Sequence, residues 1–222
     1  MAGNKRGCPY LLALLLALLV AFPFLQDIAR PLILIIPMAA VFVAGVVVSD
    51  ATPAQVRRAL AITAVQISLM VASLLLPDGS TAYELAVAMA LAAAVVLIVF
   101  ATWCLMHYVL RARVITRDQI AAGICMYIML GFAFAVVFHL LNILVPDSFT
   151  AGAVPAPPGR NPDLMYFSFV TLATLGYGDI VPRTHIARSL AILEALVGML
   201  YIAIFMARLV SMQSLPDSRG SE

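Results

Sequence analysis

Apolar positions in this chain do not alternate with polar ones; they run on. Six long apolar stretches, parted by short polar breaks, predict helices over residues 9–27, 32–49, 53–76, 81–110, 117–145 and 184–212. Each is close to or beyond the ~20 residues that carry a helix across a bilayer. The breaks carry helix-start chemistry. Thr52-Pro53-Ala54-Gln55 and Thr116-Arg117-Asp118-Gln119 both fit a capping box, in which the hydroxyl and the amide satisfy free backbone N–H groups. Thr81 with Glu84 has the same spacing, which gives Glu84 an interfacial capping role rather than an ion-binding one. In the fourth stretch Ala86, Ala90 and Ala94 share one face, and small residues at that spacing permit close helix contact in lipid.

One break differs from the rest. Residues 146–162, PDSFTAGAVPAPPGRNP, are rich in proline and form the one long loop. Asn161 and Pro162 then suit the cap and first turn of a short helical run, DLMYFSFVTLA. A run of that length rises only ~17 Å, too little to cross, so a re-entrant half-helix is expected. After it comes TLGYGD, bare backbone and an acidic group beside apolar helices. Non-helical backbone at membrane depth survives only where protein buries it or water reaches it. This stretch is therefore expected to line a cavity.

Thr171, Thr174, Gly176, Tyr177, Gly178 and Asp179 stand in the order T-x-x-T-x-G-Y-G-D. In this the chain resembles the tetrameric potassium channels. The resemblance implies an all-α membrane protein of six transmembrane helices, with a re-entrant pore helix and selectivity-filter loop between helices five and six. It also implies potassium ions held by the carbonyls of Thr174, Leu175, Gly176 and Tyr177, with Gly178 closing the filter and the Thr174 hydroxyl contributing. Carbonyls replacing the hydration shell of the ion is the general mechanism of such filters, carried over here from the family. Gly176 and Gly178 would adopt positive φ. Tyr177 would pack against the half-helix aromatics, Asp179 would sit at the outer mouth, and Thr171, Tyr166 and Phe167 would support the filter. The partly negative end of the half-helix would favour a cation in the cavity. Four copies, a homotetramer, would close the pore.

The chain departs from the family at several places. Ala173 replaces a frequent Thr, Leu175 a Val or Ile, and Tyr166-Phe167 a pair of Trp, while Val170 stands where some members have Glu. Phe167 is expected to lose a hydrogen bond to Asp179. These changes leave the carbonyls in place and bear on filter rigidity and the sharpness of selectivity.

In the sixth helix Gly198 lies 19 residues after Asp179, where the family has a hinge glycine. Hinge and close packing both explain it. Met199, Ile202, Met206 and Val210 share a helix face, which the resemblance assigns to the cavity and gate, with a lipid-facing or packing stripe as the alternative. Glu194 lies four residues before Gly198, and intramembrane carboxyls are costly and often functional. A hydrogen bond to the half-helix or filter is expected, from a carboxyl that burial favours in its protonated form, with pairing to Arg188 or another neighbour near the outer interface as the alternative.

Composition narrows the function classes. Apolar residues make up 64% and charged ones 11%, so the chain is a membrane protein, and a net charge of +2 gives no reason to expect nucleic acid. Cys8, Cys104 and Cys125 are unclustered and His107, His139 and His185 dispersed, which points to no metal site; no organic cofactor is expected. No nucleophile and base pair at depth, so an enzyme is not expected. Lys5 and Arg6 precede an apolar run without a small-x-small cleavage site, which reads as a retained signal anchor, and Cys8 lies on the wrong side for lipidation. Lys5, Arg6, Arg57, Arg58, Arg111, Arg113, Arg117, Arg208 and Arg219 fall on one side and Arg30, Arg160, Arg183 and Arg188 on the other. That bias places both termini in the cytoplasm of a multi-pass cell-membrane protein. Residues 82–110 contain no Lys or Arg, so the fourth helix is not a voltage sensor.

The organisation expected is a four-helix transmembrane bundle over 1–114, a potassium channel pore module over 115–214 and a short cytoplasmic tail over 215–222, with no soluble domain. Helices one to four are open to a lipid or protein regulator. The expected function is passive potassium conduction without strong voltage gating. A weakly selective monovalent cation channel and a non-conducting regulatory or structural subunit are the alternatives.

Overall fold

A computed structural model describes residues 7–26, 31–77, 79–111, 116–151 and 163–213. The order is α1 (Gly7–Gln26), α2 (Pro31–Val48), α3 (Pro53–Leu74), α4 (Thr81–Arg111), α5 (Arg117–Leu144), β1 (Phe149–Ala151), α6 (Leu164–Leu172), β2 (Ile180–Pro182) and α7 (His185–Gln213). The six long helices fall where the apolar runs place them, with ends shifted by a few residues, and the protein is predominantly helical. Among the described residues α3, α4, α5 and α7 are long and apolar enough to cross a membrane, while α1 and α2 offer shorter apolar stretches, Gly7–Phe22 and Ile36–Val48. The chain is a multi-pass membrane protein.

Both capping boxes at Thr52 and Thr116 form, each with a Gln three residues on. The one expected at Thr81 does not. Ser80 caps α4 instead, its hydroxyl accepting from the Tyr83 N–H at 3.2 Å, while its carbonyl accepts from the Glu84 N–H at 3.0 Å. Two neighbouring hydroxyl residues compete for one cap, and the earlier one takes it. Asn161 and Pro162 lie outside the described residues; Asp163 caps α6, its carboxylate accepting from the Tyr166 N–H at 3.1 Å.

The expectation of an all-α chain also needs correction. β1 and β2 pair antiparallel, with Thr150 opposite Val181. Their pairing ties the segment after α5 to the segment that follows residues 174–179. The Arg183 N–H donates to the Ser148 carbonyl at 2.8 Å, which extends the tie by one bond.

α5 is the central helix, packing against α1, α4, α6 and α7. The main apolar core runs through α1, α2, α4 and α5, and includes Leu15, Phe42, Leu97, Leu105, Met126 and Phe132. Ala86, Ala90 and Ala94 are buried, as their small size suggested. At the start of α5, Asp118 accepts from the Cys8 N–H at 3.1 Å and from the Tyr108 hydroxyl at 2.7 Å. One carboxylate thus satisfies a free N–H of α1 and pins the end of α4. The Arg208 guanidinium donates to the carbonyls of Val109 and Leu110 at 2.8 and 3.0 Å, filling acceptors left open at the end of α4.

Candidate functional site

α6 is nine residues long, which gives a rise of ~14 Å and no crossing. Its apolar side chains hold it against α5. Phe167 meets Phe138 and Phe149 edge-on at 5.2 and 5.3 Å, and Phe169 meets Phe132 at 5.5 Å. Such edge-to-face pairs add to the area buried. Phe149 belongs to β1, so the same cluster seats the strand pair on α5 and α6.

The helix ends at Ala173, whose N–H donates to the Phe169 carbonyl. The Thr174 N–H then donates to Thr171 at 2.9 Å and the Leu175 N–H to Val170 at 2.9 Å, which turns the chain back. From here φ is positive at every second residue: 58° at Thr174, 57° at Gly176 and 75° at Gly178. In an ordinary strand successive peptide units face opposite ways. Alternating the sign of φ cancels that reversal and swings successive carbonyls toward one side. No atom lies within 4 Å of a Cβ built on Gly176 or Gly178, so the backbone, not crowding, demands glycine there. Thr174 takes the same region at a cost of ~1–2 kcal/mol for a residue with a Cβ.

Residues 173–178 are exposed on the single chain. Tyr177 is 66% and Leu175 57% exposed. Among the described residues no ring of this chain packs on Tyr177, so the expected contact with the half-helix aromatics does not form within one copy. Phe167 turns to the Phe138–Phe149 cluster, and the side chain of Tyr166, its neighbour, lies near the Asp179 carboxylate; desolvation and then that carboxylate raise the pKa of the Tyr166 phenol. Asp179 also accepts from the Ile180 N–H at 3.1 Å, just before β2 begins. The exposed stretch is therefore held at entry by α6 and at exit by the strand pair.

Behind it stands α7. Glu194 is 0% exposed, and its Oε1 lies 2.5 Å from the Ser168 hydroxyl on α6. The hydroxyl lies 2.8 Å from the Gly131 carbonyl on α5. Arg188 is engaged elsewhere, donating to the Pro182 carbonyl, so the pairing alternative for Glu194 is not realised. Gly198 approaches the end of α6 so closely that an added Cβ would stand 2.7 Å from the Leu172 carbonyl oxygen. Close packing thus accounts for this glycine by itself. The same carbonyl accepts from the Tyr127 hydroxyl at 3.2 Å. Lower on α7, Tyr201 donates to the Gly123 carbonyl at 2.6 Å, and the Phe205 ring lies over Gly123. Glu194, Gly198, Tyr201 and Phe205 form the packed face of α7. Met199, Ile202, Met206 and Val210 are all exposed on the chain. Sequence reasoning missed Ser168, Tyr127 and Tyr201. The available signal was a hydroxyl inside an apolar helix, which needs a partner when buried. Among the described residues no cluster of His, Cys, Asp or Glu could hold a metal ion.

A family described as ion channel matches residues 124–214, the span that contains α6, the exposed stretch and α7 up to its end. Two pore potassium channel c of Oryza sativa subsp. japonica is 34% identical over 95 residues, 43% of this chain and 20% of that protein. The inward rectifier potassium channel Kirbac3.1 of Paramagnetospirillum magnetotacticum is 47% identical over 49 residues, 22% of this chain and 17% of that protein. Protein LctB of Bacillus caldotenax is 30% identical over 99 residues, and there the match takes in 73% of the relative. The chain belongs to the potassium channel superfamily. It spans a fifth or less of the length of the rice and Kirbac3.1 proteins. No solved structure matches the chain significantly.

Proposed function

We propose that the protein is a potassium-selective channel subunit, and that four copies enclose one pore in the cell membrane. The observation that carries this is the alternation of positive φ at Thr174, Gly176 and Gly178 in a stretch exposed on the single chain and fixed at both ends. Potassium sits among the carbonyls of Thr174, Leu175, Gly176 and Tyr177, with Gly178 and Asp179 at the outer mouth. One chain supplies one such stretch, and several around an axis are needed to surround an ion. α7 is mostly unburied within the chain, which leaves one side for neighbouring copies and one for the cavity.

Residues 1–114 form the bracing bundle and 115–214 the pore module, with both termini, the tail over 215–222 included, in the cytoplasm. The exposed face of Met199, Ile202, Met206 and Val210 lines the cavity and gate. Transport is passive and no covalent step is involved. Residues 82–110 of α4 carry no Lys or Arg, so voltage is not the main stimulus, and α1–α4 offer a surface to a lipid or protein regulator.

Purified protein in liposomes tests this reading. Barium-sensitive flux down a potassium gradient, with little flux down an equal sodium gradient, is the expected result. Sodium flux of similar size would replace the reading with a weakly selective cation channel.

A further inference from the structure

The Ser168 hydroxyl stands between two oxygens, the Gly131 carbonyl at 2.8 Å and Glu194 Oε1 at 2.5 Å. A serine hydroxyl has one proton to give. It cannot donate to both. The Gly131 carbonyl has no proton at all, so both short contacts are hydrogen bonds only when the carboxyl of Glu194 donates to Ser168 and Ser168 donates to Gly131. The surroundings agree. Glu194 is fully buried, its Oε2 has no hydrogen-bond partner, and no cation of the described residues bears on it. A bare carboxylate in that place would be an unpaired buried charge, whereas a carboxylic acid leaves only one neutral carbonyl oxygen unmet. The titratable group that faces it from α5 is the Tyr127 phenol; α6 presents no charged side chain to it, and on α7 Arg188 is turned to Pro182.

We propose that Glu194 is a proton-bearing strut. Its proton closes a two-bond chain from α7 through α6 to α5 and so positions the half-helix that carries the filter. Gly198 packs against the other end of α6 at Leu172, whose carbonyl accepts from Tyr127, so Ser168 and Leu172 add polar ties to the aromatic contacts of α6. Loss of the proton turns the Glu194–Ser168 bond around, takes the Ser168 proton from Gly131 and removes that tie between α6 and α5. The strut rests on the channel reading only for its consequence in flux, where alkaline solution is expected to loosen discrimination against sodium. The proton itself does not depend on that reading.

Two measurements on the full-length protein decide the matter. In infrared spectra at neutral pH the wild type shows the C=O stretch of a protonated, hydrogen-bonding carboxyl. Glu194→Gln loses that band, and Ser168→Ala moves it to higher frequency. Absence of the band in the wild type at neutral pH overturns the proposal whatever the flux does. In liposomes the sodium-to-potassium flux ratio of the wild type rises with alkaline pH, and Glu194→Gln, which keeps an N–H donor toward Ser168, loses that pH dependence. Glu194→Ala and Ser168→Ala show the raised ratio at every pH. An unchanged alkaline rise in Glu194→Gln also overturns it. The band reports on the strut even in a protein that conducts nothing, so the strut and the channel reading fail separately.

Discussion

Gly198 shows how one residue separates two explanations. If it served only as a hinge, Gly198→Ala would stiffen α7 and, by helix propensity, stabilise it by ~1 kcal/mol. The built Cβ instead lands 2.7 Å from the Leu172 carbonyl oxygen, backbone that cannot step aside cheaply. Overpacking of this kind costs ~1–3 kcal/mol. Gly198→Ala is therefore expected to lower the melting temperature of the purified protein; a rise would restore the hinge explanation. Gly176 and Gly178 behave differently. Space is open around both, so alanine there meets no clash and pays only for positive φ, ~1–2 kcal/mol. Gly178→Ala is expected to keep the fold and lower the melting temperature modestly while potassium flux falls, read side by side on one preparation. The motif made both glycines legible in advance. It did not show Thr174 in the same region, because nothing about a threonine advertises positive φ; the turn that closes α6 imposes it.

At the scale of elements, apolar run length made all the long helices readable, and T-x-x-Q made two of their starts readable to the residue. The failure at Thr81 came from Ser80, an equally good cap one position earlier. Thr116→Ala removes a cap far from the filter motif and is expected to cost ~1 kcal/mol. It should lower thermal stability without altering the sodium-to-potassium flux ratio; a changed ratio would mean that the start of α5 is coupled to the filter. The strand pair was not legible. Phe149–Ala151 and Ile180–Pro182 are three residues each, too short for any period, and they pair because α5 and α6 bring them together. The same holds for the Ser168–Glu194 and Tyr127–Leu172 contacts. Composition marks these polar groups as needing partners, but which helix faces which is decided by tertiary packing.

At the scale of the whole molecule, the single chain leaves its most distinctive parts uncovered. The stretch around Gly176 is open, Tyr177 has no ring partner among the described residues, and α7 presents a long apolar side. A stable native mass of four chains in detergent is expected, and a monomer that remains folded and active would contradict it. α4 carries no Lys or Arg between Thr81 and Leu110, so open probability is expected to vary little across the membrane potentials that drive a sensor of several charges. The central claim is that carbonyls on alternating φ select potassium. The most direct test is the reversal potential of the purified protein in a planar bilayer with potassium on one side and sodium on the other. A reversal potential displaced far toward the potassium equilibrium value is the result this account predicts. A reversal potential near zero would contradict it.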